Sequence, residues 1–237
     1  MKASFEPPYQ LEIVSEETIG RGGFLFIRRL RLHNLRPDGT RSREWLCDFV
    51  ERPKGVDAVV LVLWRRAAPG VQVLLRRGLR PAVHLGRPAE RVPLPDGRTH
   101  GFVIELVAGI IEEGEVGEAA IRRRAIEEAW EEAGVRLGPE AVELLGPGMF
   151  PSPGMTAEKF WFAAAEVPAD ATGHPPAGDG SPMEEGAEVR WVELDEALGL
   201  CEAGVIEDAK TELGLLRLAR RLGRTPGLGQ ASSPPRP

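Results

Sequence analysis

The chain has 237 residues, 42% of them hydrophobic and 28% charged, so it can bury a core as one large domain or as a domain with an extension. Its formal net charge of −6 argues against a general nucleic-acid or anionic-membrane surface. The two cysteines, Cys47 and Cys201, are far apart and exclude both a disulfide framework and a cysteine-based zinc site.

The N-terminus, MKASFEPPYQLEIVSEE, is too acidic and broken for a signal peptide. The longest apolar run, AVVLVLW, is far shorter than the roughly 20 residues that span a bilayer. We therefore expect a soluble, cytoplasmic protein.

Strand patterns dominate the first half of the chain. The segments FLFIRRLRLHNL and SREWLCDFV flank a Pro-Asp-Gly turn, which predicts a β-hairpin. Two further strands are predicted at DAVVLVLW and VQVLLRR. After a polar, proline-rich excursion over residues 81–100, the segment GFVIELVAG is predicted to form one strand that ends in a glycine.

The second half mixes helices and strands. A helix is predicted over residues 117–133, with Gly134 suited to its C-terminal cap. Strands are predicted at VELLGPGMF, EKFWFAAAEV and AEVRWVEL, and helices near DEALGLCEAG and DAKTELGLLRLARRLG. The tail TPGLGQASSPPRP is rich in turn formers and is expected to be disordered. The pattern is that of a mixed α and β fold.

The 117–133 helix carries an unusual group of acids. At about 100° per residue, Glu128, Glu131 and Glu132 share one face, while Ile126, Trp130 and Ala133 lie opposite and are expected in the core. Such a charged face is most often only solvated. However, like charges four residues apart repel unless a cation lies between them, and carboxylates from a helix and a neighbouring loop suit Mg²⁺.

The segment AGIIEEGE followed by EEAWEEAGV resembles the Nudix box, a loop and helix with the pattern Gly, five residues, Glu, seven residues, Arg-Glu, two residues, Glu-Glu, one residue and Gly. The span here is four residues longer than that pattern, close to one helical turn. Counted back from Gly134, the acids are Glu128, Glu131 and Glu132, and Arg124 takes over the charge-pairing role of the missing arginine; we prefer this back register. The front register instead uses Glu127 and Glu128.

Outside the box, RGLRPAV, IELVAG, FPSPGMTAEKFWF and EVRWVELDEAL resemble the ADP-ribose and nucleotide-sugar pyrophosphatase branch of the Nudix superfamily. The resemblance implies a Nudix fold of the α/β (α+β) class, with mixed β-sheets sandwiched between helices and an N-terminal β-sheet extension. Residues 1–55 would be the N-terminal strand region that forms a homodimer, 56–223 the hydrolase domain and 224–237 the tail.

The resemblance also implies site residues. Mg²⁺, for which Mn²⁺ can substitute, would be held by carboxylates and one backbone carbonyl, namely Ala108, Glu115, Glu128, Glu131 and Glu132. Catalytic roles fall on Glu131 and on Glu158, a base or water-positioning residue of the loop after the box. Arg80 and Arg77 would bind substrate, although Arg77 fits a surface role equally well, and Glu105 would have a substrate or structural role.

Three functions follow from these residues. The first is hydrolysis of ADP-ribose to AMP and ribose 5-phosphate, favoured by Pro151, which lies 16 residues beyond Val135 as in enzymes that act on ADP-ribose. The second is the same reaction on UDP-glucose or another nucleotide sugar, favoured by Val107 in place of proline and by the segments RPAVHLG and EEAWEEAG. The third is a non-catalytic nucleotide-binding regulator, which only the lengthened box supports.

Overall fold

Residues 10–51 build a three-stranded antiparallel sheet. Its strands, in the order β1-β2-β3, are β1 (Gln10–Ile19), β2 (Phe26–Leu35) and β3 (Trp45–Glu51). The predicted hairpin is confirmed, because β2 and β3 pair on either side of a turn in which Gly39 has a φ of +80°. The structure is a computed structural model that describes residues 7–68, 70–95, 97–173 and 185–224.

The chain divides into two units. The first consists of Met1–Val56 and Ser152–Glu158, and the second of Asp57–Pro151 and Lys159–Pro237. Among the described residues of the second unit, seven strands form one sheet: β4 (Ala58–Ala67), β5 (Gly70–Leu79), β6 (Phe102–Glu105), β7 (Val107–Ile110), β8 (Val142–Leu144), β9 (Phe160–Glu166) and β10 (Glu188–Glu193). The helices are α1 (Pro81–Gly86), α2 (Gly117–Ala133), α3 (Leu194–Glu202) and α4 (Ala209–Arg221), with short 3-10 turns at Ala89–Arg91 and Pro139–Ala141.

The sheet of the second unit is forked. Its main strand order is β10-β5-β4-β9-β8, in which β4 and β9 are parallel and the other pairs antiparallel. Strands β4 and β5 pair only near their shared hairpin, and farther on β6 pairs with β5 while β7 pairs with β4. The prediction of one continuous strand over GFVIELVAG was therefore wrong, because the segment changes partner at Leu106.

Helices cover both faces of this sheet. Along β4, Val60, Val62 and Trp64 belong to the cluster formed with α3 and α4, whereas Val59 and Leu61 pack in the cluster formed with α2. All five side chains are at most 4% exposed, and each such burial contributes about 1.5–3 kcal/mol. The predicted fold class, a mixed sheet between helices with an N-terminal antiparallel sheet, is confirmed.

Helix α2 has the predicted bounds and ends at Gly134, whose φ of 66° forms the expected left-handed cap. Its orientation differs from the prediction, since Trp130 is 46% exposed and Glu128 only 5%. Most of the side chains that face the sheet are alanines: Ala120, Ala125, Ala129 and Ala133 are each at most 2% exposed, and Ile121 joins them at 7%. Small side chains let the helix approach the sheet closely, so the indole is left outside, under the guanidinium of Arg136 at 3.9 Å from the ring centroid.

Within the described ranges, no helix is long and apolar enough to cross a membrane. The expected disordered tail from residue 225 onwards lies outside the described residues, as does much of the predicted proline- and glycine-rich loop before β10.

Candidate functional site

Two glutamates of α2 lie against strand β7. The backbone N–H of Ala108 donates a hydrogen bond to Glu132 Oε2 at 3.1 Å. At the next residue, a Cβ on Gly109 would lie 1.6 Å from Glu128 Oε1, so only glycine leaves room for this carboxylate. The two acids are one helical turn apart and meet two consecutive residues of β7.

Arg124 neutralises the helix acids from one turn earlier, as its sequence position predicts. Its guanidinium forms ion pairs with Glu128, with Glu127 at 2.9 Å and with Glu131 at 3.5 Å. Glu131 is 53% exposed, while Glu128 and Glu132 are largely buried. One arginine therefore serves three carboxylates.

Burial disfavours the charged form of Glu128 and of Glu132. Burial first, and then the neighbouring charge of Glu132, raise the pKa of Glu128 to about 7, against the opposing effect of Arg124. Burial also raises the pKa of Glu132, which Arg76 and the Ala108 N–H oppose. A cation bound beside them would therefore stabilise the charged form of both carboxylates.

A second charged cluster surrounds Glu105 at the end of β6. Arg80 donates from Nε at 2.8 Å and lies at 2.7 Å through Nη2, and Lys210 Nζ is 2.7 Å from the other oxygen. Arg76 Nη1 is 3.8 Å away. Glu105 is only 2% exposed, so three cations converge on one buried carboxylate.

Arg76 joins the two clusters. Its Nη1 lies 3.8 Å from Glu105 and 3.6 Å from Glu132. Gly78 makes room for it, because a Cβ there would be 2.7 Å from the same nitrogen. Sequence analysis missed Arg76, although a period-two count along β5 puts it on the same face as Arg80.

Arg77, predicted to bind substrate, points to the other face of β5. It pairs with Glu188 at 3.4 Å and lies over the ring of Phe102, 4.9 Å from the centroid. Its side chain is 47% exposed. The structure therefore does not bring Arg77 together with Arg80 and Glu105.

Lys210 was also missed, and no local sequence signal identifies it. It lies in the first turn of α4, whose helix packs in the other helix layer, and it also contacts Asp208 at 2.8 Å. Asp208 caps α4 by accepting the Thr211 N–H at 3.1 Å, while the Thr211 hydroxyl accepts the N–H of Leu106 at 2.8 Å. The start of α4 is thereby fixed to the fork of the sheet.

Two further predicted acids pair with other arginines. Glu115 pairs with Arg123 at 2.6 Å in the loop before α2. Glu158 belongs to the first unit, where it pairs with Arg52 at 2.7 Å and is 17% exposed.

Among residues 7–68, 70–95, 97–173 and 185–224, no three His, Cys, Asp or Glu side chains form a group that could hold a metal ion. The chemistry of the donors nevertheless fits Mg²⁺, which prefers carboxylate and carbonyl oxygens and keeps part of its water shell. Glu128 and Glu132 repel each other in a buried place, and a divalent cation there would relieve that repulsion. Arginines supply the positive charge in the conformation described.

The fold is a forked mixed sheet between helix layers, and the glutamates of one helix lie against a glycine of the sheet. This combination defines the Nudix class of fold. A profile of the NUDIX domain matches residues 58–213, and the chain belongs to that family. No curated protein sequence matches the chain closely enough to count as a relative.

Solved structures share this fold. The chain is similar to an ADP compounds hydrolase, with a TM-score of 0.58 and 17% identity over 93% of this chain and 100% of the other. It is also similar to a C. elegans Ap4A hydrolase binary complex, with a TM-score of 0.42 and 19% identity over 71% and 98% of the two chains. A T. brucei MERS1–RNA complex has a TM-score of 0.37 and 20% identity over 56% and 40%. At 17% identity the likeness to the first of these concerns the fold alone, and the other two scores are too low to support a conclusion.

Proposed function

We propose that the protein is a Mg²⁺-dependent pyrophosphatase that hydrolyses ADP-ribose to AMP and ribose 5-phosphate. The observation that carries the proposal is the position of Arg76, between a cluster of acids suited to a metal and a cluster of cations suited to phosphate. A diphosphate substrate requires both, because its charge must be neutralised while a water molecule is directed at phosphorus. Glu132 and Glu105 mark the two clusters, less than 4 Å from Arg76 on either side.

The first group of residues in the proposed site would bind the metal. Glu128 and Glu132, with Glu131, Glu115 and the carbonyl of Ala108, would hold Mg²⁺, which would supply positive charge for the phosphates and would activate a water molecule. The roles of these residues rest on the resemblance to the Nudix box and on the contacts of the first two with β7.

The cationic cluster would receive the diphosphate. Arg80 is 39% exposed at its side chain, so its guanidinium can reach a ligand while Glu105 orients it. Lys210 is 12% exposed and stays with Glu105, which keeps that buried acid neutralised when Arg80 turns to phosphate. Glu158 would position or deprotonate the attacking water, as the resemblance implies.

Pro151 supports ADP-ribose as the substrate. One solved structure of the same fold is titled an ADP compounds hydrolase, but at 17% identity it supports the fold rather than the substrate. UDP-glucose is the second candidate, because Val107 stands where the ADP-ribose branch commonly has proline.

A substrate panel tests the proposal. ADP-ribose, UDP-glucose and diadenosine polyphosphates are incubated with and without Mg²⁺, and the products are identified by mass. We expect AMP and ribose 5-phosphate, formed only with the metal. Glu132→Gln should abolish turnover, whereas Glu127→Gln, which removes a carboxylate of the same helix that is paired with Arg124, should not. Metal-independent turnover contradicts the mechanism, and absence of turnover on every substrate leaves the non-catalytic regulator.

We also propose that the N-terminal sheet forms a homodimer. One row across its three strands is apolar: Ile13 pairs with Leu32, which pairs with Trp45. Ile13 is 55% exposed and Trp45 37%, and Leu11, two residues before Ile13, is 55% exposed. Such a contiguous apolar surface is typical of an interface.

Light scattering tests the dimer. We expect the mass of two chains, and Ile13→Asp should halve it. Leu46→Asp is the matched control, because Leu46 is 51% exposed but pairs with Arg31 on the opposite, ionic face. A monomeric wild-type protein contradicts the proposal.

A further inference from the structure

An aromatic pair with a lysine between its rings lies at the start of β9, and the proposed reaction does not use it. The ammonium group of Lys159 is 4.6 Å from the ring centroid of Phe150 and 5.5 Å from that of Trp161. Phe150 is 52% exposed, so one large ring faces solvent beside a positive charge. Aromatic rings that stack on a base and cations that bind phosphate are what a nucleotide requires.

Hydrogen bonds hold the indole of Trp161 and the backbone directly before Phe150. Asp57 accepts the indole N–H of Trp161 at 2.8 Å and the backbone N–H of Lys159 at 3.2 Å. Met149 and Phe160 exchange backbone hydrogen bonds of 3.0 and 2.8 Å, which fixes the residue directly before Phe150. A ring that does not have to be ordered on binding contributes more of its stacking energy to affinity.

Close packing also limits what can stand beside the rings. A Cβ on Gly148 would be 2.7 Å from Cδ of Lys159 and 3.0 Å from the indole of Trp161. The backbone therefore lies directly over these two side chains, and glycine is required there. The exposed ring is Phe150, since Trp161 is half-buried.

The strand registers place this pair next to the acids of α2. Trp161 is in register with Val59 on β4, and Val59 with Gly109 on β7. Two strand spacings amount to about 10 Å between the backbones of Trp161 and Gly109. Trp161 packs in the α2 cluster, and the Gly109 position faces Glu128, so both lie on the same face of the sheet.

We propose that Phe150, Lys159 and Trp161 form the subsite for the nucleobase of the substrate. This inference rests on the proposed function for the position of the diphosphate. With the diphosphate held by the cationic cluster and the acids of α2, the ribose passes the start of β4 and brings the base to Phe150, because Val59 farther along that strand is buried under α2. The flexible stem of Lys159 lets its ammonium leave the rings for a phosphate and frees the aromatic face for stacking.

Binding of the two halves of the substrate tests the subsite without requiring turnover. The dissociation constants of AMP and of ribose 5-phosphate are measured by calorimetry in EDTA for the full chain and for Phe150→Ala. Loss of one stacking ring should weaken AMP about tenfold or more and leave ribose 5-phosphate within about twofold. Phe150→Tyr should restore AMP binding, because the phenol ring stacks equally well.

Trp130→Ala is the matched control. Trp130 is also an exposed aromatic side chain under a cation, but it lies on the side of α2 away from the acids. We expect it to bind AMP as the wild type does. The subsite is refuted if the wild type does not bind AMP, if Phe150→Ala leaves AMP binding unchanged, or if ribose 5-phosphate or the Trp130 variant loses as much.

The failure of this inference is distinguishable from that of the proposed function. A selective loss of AMP affinity in Phe150→Ala, in a protein that hydrolyses none of the substrate panel, supports the subsite and removes the enzyme. Hydrolysis of ADP-ribose with unchanged AMP binding in the variant supports the proposed function and refutes the subsite.

Discussion

Replacing Glu128 by glutamine should change how the stability of the metal-free protein depends on pH. The pKa of this carboxyl is 4.5 in the unfolded chain and about 7 in the fold, mainly because of burial and then because of Glu132. Between these two pH values the folded state keeps a proton that the unfolded state releases. Stability therefore falls as the pH rises through this window, and the full penalty persists above pH 7.

The size of the effect follows from that pKa difference. It corresponds to a loss of about 3 kcal/mol at pH 8. This is a large fraction of the stability of a typical domain. The side chain is 7% exposed, so solvent screens this penalty little. Glu128→Gln cannot ionise and should be more stable than the wild type by about 1–3 kcal/mol at pH 8, but equally stable at pH 4.5.

Urea unfolding at pH 4.5, 6, 7 and 8 in EDTA measures this difference. Glu127→Gln controls for the loss of one charge next to Arg124 at a side chain that is 43% exposed. The wild type should retain a steeper fall of unfolding free energy with pH than Glu128→Gln. Because burial also raises the pKa of Glu132, the variant should keep a smaller fall in the same direction. Parallel pH curves for wild type and Glu128→Gln would refute the reasoning.

Three further changes test the surroundings of this acid. Gly109→Ala should expel the Glu128 carboxylate, lowering kcat at least tenfold and the unfolding free energy by about 1–3 kcal/mol; unchanged kcat would contradict the close contact. Arg76→Met should destabilise by about 3–5 kcal/mol in urea, whereas Arg77→Met on the exposed face should cost about 1 kcal/mol or less, and equal losses would contradict the assigned faces. Millimolar Mg²⁺ should raise the Tm of the wild type but not of Glu132→Gln, and an equal rise in both would place the ion elsewhere.

The elements that sequence analysis predicted well have local causes. Gly134 ends α2 because a left-handed residue without a side chain is needed there, and Gly39 similarly fits the turn of the first hairpin. Both signals lie within the segment that they shape. The bounds of α2 could therefore be predicted to the residue.

The wrong predictions concern contacts between segments. The break at Leu106 arises because β4 and β5 separate, which no property of GFVIELVAG itself reveals. Trp130 was expected in the core because it lies opposite Glu128 on the helical wheel. The distance between α2 and the sheet determines instead which side chains are buried, and alanines occupy most of that space.

The two missed cations of the site differ in the same way. Arg76 was within reach of the sequence, since Arg76, Gly78 and Arg80 alternate along one face of β5. Lys210 was not, because its contact with Glu105 joins positions 105 residues apart and on different layers. Charge clusters assembled by the fold are visible only once the fold is known.

Two arginines in the lengthened box, Arg123 and Arg124, form ion pairs with acids of the site. Arg123 pairs with Glu115 and Arg124 with Glu128, so the extra turn at the front of α2 supplies a counter-charge to acids on either side of it. The rear half of the helix then keeps its place, with Glu128 at Gly109 and Glu132 at the N–H of Ala108. Gly109 fits either register, because both registers use Glu128. The burial of Glu132 beside Ala108 is a reason to prefer the back register, which assigns this acid to the metal. The back register remains a prediction, and the loss of turnover in Glu132→Gln is its test.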